Sequence, residues 1–294
     1  MKLFELLYQF HEKFPKPDCL VKKENGKWIP YSTKDFVEYS ENLAFGLLAL
    51  GVQREDKIAI ISNNRPEWNF ADMGIQMSGC VDVPIYPTIS EHDLKFIFND
   101  AQVKYVFASS EELFQKIRKI SAEVPSIQEI YTFNQVPGAK HFTDLVELGK
   151  NNRNDSKLKS IKDSIKETDL ATILYTSGTT GTPKGVMLSH NNLFSNVYGV
   201  RELPPAGYKD RCLSFLPLNH IYERMLNYTY MYLGISIYYA ESLDTIADNL
   251  KEVQPQVFSC VPRLLEKVYD RIISKGNELT GIKRKLFFWA VELG

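Results

Sequence analysis

An α/β fold built around a largely parallel sheet is what this sequence predicts, on three observations. Short apolar runs of buried-strand length recur from residue 57 onward, among them Ile58–Ile61, Val81–Tyr86, Lys104–Ala108 and Ile127–Phe133. Stretches of helical period separate them, which is the pattern of βαβ units. The composition, 44% hydrophobic and 24% charged over 294 residues, supplies enough apolar material for a large packed core and excludes wholesale disorder.

The elements follow in order. Leu3, Leu6, Leu7 and Phe10 fall at i, i+3, i+4, i+7 and predict an amphipathic N-terminal helix rather than a signal peptide. After the strand at 58–61, Pro66 stands where a helix can start, and Trp68, Met73 and Met77 carry the helical spacing of 67–79. Ser90 with Asp93 marks the next helix start, continued by Leu94, Phe96 and Ile97. A helix is expected over 111–123. Residues 149–168 are polar, Lys-rich and free of aromatics, and read as a solvated surface excursion. Alternation then resumes: a strand at Leu170–Tyr175, a Gly/Thr loop, a helix from about 190, and strands at 211–216 and 234–240. A helix near 245–253, a strand at 256–260 and a helix from Pro262 complete it. The final residues, 283–294, have a mid-helix pattern without cap or tail, so the chain reads as cut rather than finished. Exposed apolar surface is therefore expected around Leu286, Phe287, Phe288 and Trp289.

Composition narrows function. Lys+Arg 35 against Asp+Glu 36 leaves a net charge of −1, which offers no general basic field for nucleic acid. Cys19, Cys80, Cys212 and Cys260 lie far apart with no C-x-x-C, against a zinc site or disulfide framework and in favour of a reducing, cytoplasmic setting. No apolar run reaches the roughly 20 residues that span a bilayer.

The segment Thr176-Ser-Gly-Thr-Thr-Gly-Thr-Pro-Lys-Gly185 carries the chemistry. Its glycines let backbone N–H groups approach an anion, its hydroxyls donate hydrogen bonds, and Lys184 adds positive charge, which together make a phosphate cradle. A Walker A loop needs G-x-x-x-x-G-K-[ST]. Here Pro183 precedes the lysine and Gly185 follows it, so the P-loop pattern fails.

That ordered string resembles the phosphate-binding signature of the acyl-adenylate-forming enzymes. Asn64-Arg-Pro-Glu-Trp68, Met77–Thr88, Leu216–Arg224 and Val261–Arg271 resemble segments in the first half of long-chain fatty acyl-CoA synthetases. The resemblance runs from about residue 20 to the C-terminus. It implies helices packed on two largely parallel sheets, and a single truncated AMP-binding domain over 1–294 that lacks the family's C-terminal domain. The implied reaction joins a long-chain fatty acid to coenzyme A through an acyl-adenylate, with ATP and Mg2+, releasing AMP and diphosphate. In that reading Thr176, Ser177, Gly178, Thr179, Thr180, Gly181, Lys184 and Gly185 hold the phosphates, Thr176 touches the magnesium, and His220 orients the carboxylate against the α-phosphate. Oligomeric state and peripheral membrane contact stay open.

Other residues carry weaker expectations. Leu213, Phe215, Leu226, Tyr228, Tyr230, Met231 and Tyr232 read first as plain core, with the wall of an acyl tunnel as the alternative. Glu223 and Arg224 suggest a structural ion pair or cap, and Arg263 a structural contact at a helix start. Family members also carry a Tyr-Gly-x-Thr-Glu string for magnesium, a Tyr-x-Thr-Gly-Asp string for the ribose and a catalytic lysine in a small further domain. Neither string occurs in this sequence, so the fragment is expected to be inactive alone. The alternative is a phosphate- or nucleotide-binding or interaction module that reuses the fold without catalysis.

Overall fold

A computed structural model describes residues 1–177 and 181–293, which divide into two compact units, Met1–Phe258 and Ser259–Gly294. The first unit opens with α1 (Glu5–Lys13), which buries Leu6, Leu7 and Phe10 as their spacing predicts. The hairpin β1 (Leu20–Glu24) and β2 (Lys27–Tyr31) follows, then α2 (Thr33–Ala49). A capping box starts α2: Ser32 Oγ accepts the Asp35 N–H at 3.0 Å, and the Asp35 carboxylate accepts the Ser32 N–H at 2.8 Å.

The alternating segment then appears as β3 (Lys57–Ile61), α3 (Pro66–Met77), β4 (Val81–Ile85), α4 (Glu91–Ala101), β5 (Val103–Ala108), α5 (Glu111–Ile120) and β6 (Glu129–Thr132). Pro66 occupies the first turn of α3, and Ser90 and Ser110 cap α4 and α5. Next come β7 (Lys140–His141), α6 (Phe142–Asn151), α7 (Asp155–Ser164), β8 (Leu170–Ser177), β9 (Pro183–Ser189) and α8 (His190–Val200). The unit ends with β10 (Arg211–Ser214), α9 (Ile221–Leu233), β11 (Ser236–Tyr239) and α10 (Ile246–Val253).

Two sheets organise it. The larger has strand order β7-β6-β5-β3-β4-β8-β9 and is parallel except for the β8–β9 hairpin. The smaller, β10-β11-β1-β2, is parallel except for β1–β2. The two-residue period of β3 serves both faces of the larger sheet: Ile58 and Ile60 enter one apolar cluster, Ala59 and Ile61 the other. The first cluster also takes in Leu20, Ile237 and Tyr239 of the smaller sheet. Within it α3 is buried along its whole length. Helices α2 and α6 cross so closely that a Cβ at Gly149 would lie 1.8 Å from the Asn42 carbonyl oxygen, so only glycine fits there.

Three segments differ from expectation. The polar stretch 149–168 holds α7, because Leu158, Ile161 and Ile165 recur on one side; Leu158 and Ile165 are buried. The strand expected at 256–260 is absent. Gln254 sits at φ 48° and Pro255 has no N–H to donate, so pairing with β10 is limited to the Gln256 N–H on Arg211 O and one bridge between Val257 and Cys212. Strand β9 was not anticipated. It is an edge strand with most of its residues exposed and no clean alternation.

The second unit consists of α11 (Pro262–Glu278) and α12 (Gly281–Leu293). Phe287 packs on Gly276. Ile282, Leu286, Trp289 and Leu293, at i, i+4, i+7, i+11, are all more than half exposed. Phe287 and Phe288 are half-buried, and Arg263 lies exposed in the first turn of α11.

Candidate active site

The phosphate-cradle sequence forms the end of the β8–β9 hairpin, where Thr176 pairs with Lys184 and Ser177 with Pro183. Gly178, Thr179 and Thr180 lie outside the described residues. Gly181 has φ +83°, a conformation that favours glycine. Gly185 answers a packing need as well. A Cβ there would sit 2.9 Å from Ile173 Cγ2 and 3.1 Å from Tyr175 Cζ, and the Tyr175 hydroxyl donates to Asp100 Oδ2 at 2.5 Å. Thr176 and Lys184 are exposed, and Lys184 makes no ion pair with a described residue.

Beside the hairpin lies a cavity of about 960 Å3, at the upper end of the usual range for ligand pockets. Leu174, Val186 and Leu188 come from the hairpin, Leu193 from α8, and Ile221 and Met225 from α9. Thr176, Asn219 and His220 add polar groups. The cavity thus joins an apolar wall to the hairpin end where the cradle sequence stands. His220 is the N-cap of α9: its Nδ1 accepts the Tyr222 N–H at 3.2 Å. With Nδ1 accepting that bond, Nε2 carries the ring hydrogen and offers a donor at the cavity wall.

Helix α9 is set by a charged cluster in the core. Arg224, wholly buried, bonds Asp72 Oδ1 of α3 at 2.5 Å, Thr172 Oγ1 of β8 at 2.8 Å and the Tyr228 hydroxyl at 2.8 Å. Asp82 Oδ2 of β4 lies 2.7 Å from the same guanidinium. Burial holds Asp82 well above the usual carboxylate range; Arg224 opposes that shift and Asp72 adds to it. Glu223 does not pair with Arg224. It accepts from Ser214 Oγ at 2.6 Å and Asn227 Nδ2 at 3.0 Å, and burial pushes it up to about 8 against those two bonds. The expected Glu223–Arg224 pair is therefore replaced by two separate buried networks on neighbouring residues.

Two polar side chains that sequence reasoning missed hold the loop before His220. Asn64 bonds it at Leu216 and Leu218 and also reaches Ser214 at the end of β10, and Trp68 Nε1 donates to Asn219 Oδ1 at 3.2 Å. The string Asn64–Trp68 carried the signal as a family likeness, without a role. Of Leu213, Phe215, Leu226, Tyr228, Tyr230, Met231 and Tyr232, none lines this cavity, while Phe215 lines a second one of about 380 Å3 that shares Tyr86 and Asn219 with it. Six of them are buried in the core and Tyr232 packs against it. Helix α9 turns only its first residues toward the cavity, so the aromatic stripe further along is core.

Among the described residues no group of three or more His, Cys, Asp or Glu could hold a metal ion. Magnesium is ordinarily held by one or two carboxylates together with substrate phosphates, and no step below runs through it. No described helix is long and apolar enough to cross a membrane.

A family model described as AMP-binding enzyme matches residues 7–288. The chain belongs to the AMP-binding enzyme family. A long-chain-fatty-acid–CoA ligase of Xenopus laevis is 30% identical over 99% of this chain and 41% of its own length. A peroxisomal long-chain acyl-CoA synthetase of Arabidopsis thaliana is 34% identical over 89% of this chain and 38% of its own. The chain thus spans less than half the length of these curated relatives. Among solved structures, a Mycobacterium tuberculosis fatty acyl-CoA synthetase matches with TM-score 0.74 at 20% identity, covering 90% of this chain and 50% of that one. The adenylation domain of a carboxylate reductase from Mycobacterium chelonae matches with TM-score 0.78 at 21% identity, covering 98% and 50%. These likenesses establish the fold, the two-sheet α/β arrangement of the N-terminal part of acyl-adenylate-forming enzymes.

Proposed function

We propose that this chain is the part of a long-chain fatty acid–CoA ligase that holds the acyl chain and the leaving diphosphate. The fatty carboxylate attacks the α-phosphorus of ATP, a bond to diphosphate breaks, and acyl-adenylate forms. The thiol of coenzyme A then adds at the acyl carbonyl and expels AMP. In this reading the alkyl tail lies along Leu174, Leu188, Leu193, Ile221 and Met225. His220 donates from Nε2 to a carboxylate oxygen and keeps the other free to attack. The hairpin end, with Thr176, Ser177, Gly178, Thr179, Thr180, Gly181 and Gly185, receives the diphosphate, and Lys184 balances its developing charge. Such preorganised donors and charges are the main source of rate in phosphoryl displacement.

The observation that carries the reading is the apolar cavity meeting both His220 and the hairpin. Titration calorimetry of the chain with palmitate and with acetate tests it. Saturable palmitate binding that is lost on Leu188→Glu supports it. Equal, weak heats from both acids, or palmitate binding indifferent to that substitution, would contradict it. The isolated chain is also expected to release no fatty-acid-dependent pyrophosphate, because the family's ribose and magnesium strings do not occur in it.

A further inference from the structure

We propose that Asn64 is a positioning residue for His220. The proposal rests on the reading above that His220 meets the substrate carboxylate. Asn64 lies just after β3, in the larger sheet's loop toward α3, whereas His220 follows β10 of the smaller sheet. One planar amide joins them. Asn64 Oδ1 accepts the Leu218 N–H at 2.8 Å, and Nδ2 donates to the Leu216 carbonyl at 2.7 Å and to Ser214 Oγ at 3.3 Å. The His220 N–H closes a turn on Pro217 O at 2.9 Å, so the bonds to Leu216 and Leu218 clamp the turn that carries the imidazole.

The chemistry selects this residue type. A loop folded against the core must satisfy both its N–H and its C=O groups, and an asparagine amide supplies an acceptor and a donor side by side. Aspartate keeps the shape and loses the donor; alanine loses both. The network continues on the far side of His220. Ser214 Oγ donates to Glu223 Oε1 at 2.6 Å, one turn into α9, so the loop before His220 and the helix after it are tied to the same amide. Trp68 and Ser62 hold Asn219 in the same way, through Nε1 at 3.2 Å and a backbone carbonyl at 2.9 Å.

The test follows the imidazole itself. The chain has five histidines, so their ring signals can be followed by NMR, with His220→Gln identifying the relevant one. In Asn64→Asp and Asn64→Ala the His220 signals shift and broaden while those of His11, His92 and His141 stay in place, and palmitate binds about tenfold more weakly. A purely structural role would lower the melting midpoint and leave the His220 signals alone. Unchanged His220 signals in a folded variant, or equal movement of all five histidines, would overturn the proposal. If Asn64→Ala fails to fold, the isosteric Asn64→Asp decides. Should the unmodified chain not bind palmitate, the substrate reading fails, while the NMR arm still decides whether Asn64 orders His220.

Discussion

The β8–β9 hairpin lines the cavity, the α3–α9 contact lies behind the start of α9 that also lines it, and the two are built in opposite ways. The hairpin ends in an edge strand: Thr176, Lys184 and Val186 are exposed, and β9 pairs with β8 in one antiparallel ladder while β8 also pairs with β4. The α3–α9 contact is buried and polar, with Arg224, Asp72 and Tyr228, joined by Asp82 of β4, wholly buried together. The hairpin presents groups to a ligand. The buried cluster presents nothing and instead fixes where α9, with His220 at its start, must lie. Substitutions should therefore separate cleanly, stability from the buried side and chemistry from the exposed one.

The largest effect is expected at Arg224. Arg224→Leu leaves the buried Asp72 carboxyl without its guanidinium partner, a loss of about 3–5 kcal/mol, read by urea unfolding. A loss below about 1 kcal/mol would mean that the cluster does not hold α9. On the hairpin, Lys184→Ala should leave unfolding unchanged within about 0.5 kcal/mol. In an assembled enzyme containing this chain it should slow adenylation by about 10²-fold. Transfer from preformed acyl-adenylate to coenzyme A, with no diphosphate to hold, should be spared. Equal loss in both steps would break the distinction drawn between the two regions.

A smaller, graded effect belongs to Glu223. Its folded-state value of about 8 lies above the ordinary value of 4.5, so between those values the folded chain binds more protons than the unfolded one. Stability from this group is thus fully present below about 4.5 and is lost as pH rises toward 8. Asp82, shifted the same way, adds to the slope. Glu223→Gln, which stays neutral and keeps the shape, should flatten the fall in melting midpoint across that window. An unaltered slope would show that Glu223 is ionised in the fold. The smallest effect is expected at Thr182→Ala, where no phosphate contact is assigned: unfolding and adenylation should both stay near those of the unmodified chain.

Legibility followed the same division. The Thr176–Gly185 string was readable because its chemistry is local, ten consecutive residues with glycine, hydroxyl and lysine in register. Leu3, Leu6, Leu7 and Phe10, or the Pro66 start of α3, were readable for the same reason. Partners far apart in sequence were not. Nothing near Arg224 announces Asp72 and Asp82, some 150 residues away in the chain, so its neighbour Glu223 looked the natural partner. The aromatic run 228–232 read as core with tunnel lining as the alternative, because periodicity says that a face is buried without saying against what. Strand β9 escaped because an edge strand need not alternate. In 149–168, lysines masked the single apolar side of α7.

The central claim is that one cavity takes the acyl chain at its apolar wall and the phosphate at the hairpin, with His220 between them. A crystal structure of the chain with a non-hydrolysable palmitoyl-adenylate analogue tests it most directly. The account predicts the alkyl chain against Leu188, Ile221 and Met225, the acyl oxygen within hydrogen-bond reach of His220 Nε2, and the phosphate mimic beside Thr176 and Lys184. An analogue seated elsewhere, or bound here with its alkyl chain turned out to solvent, would contradict it.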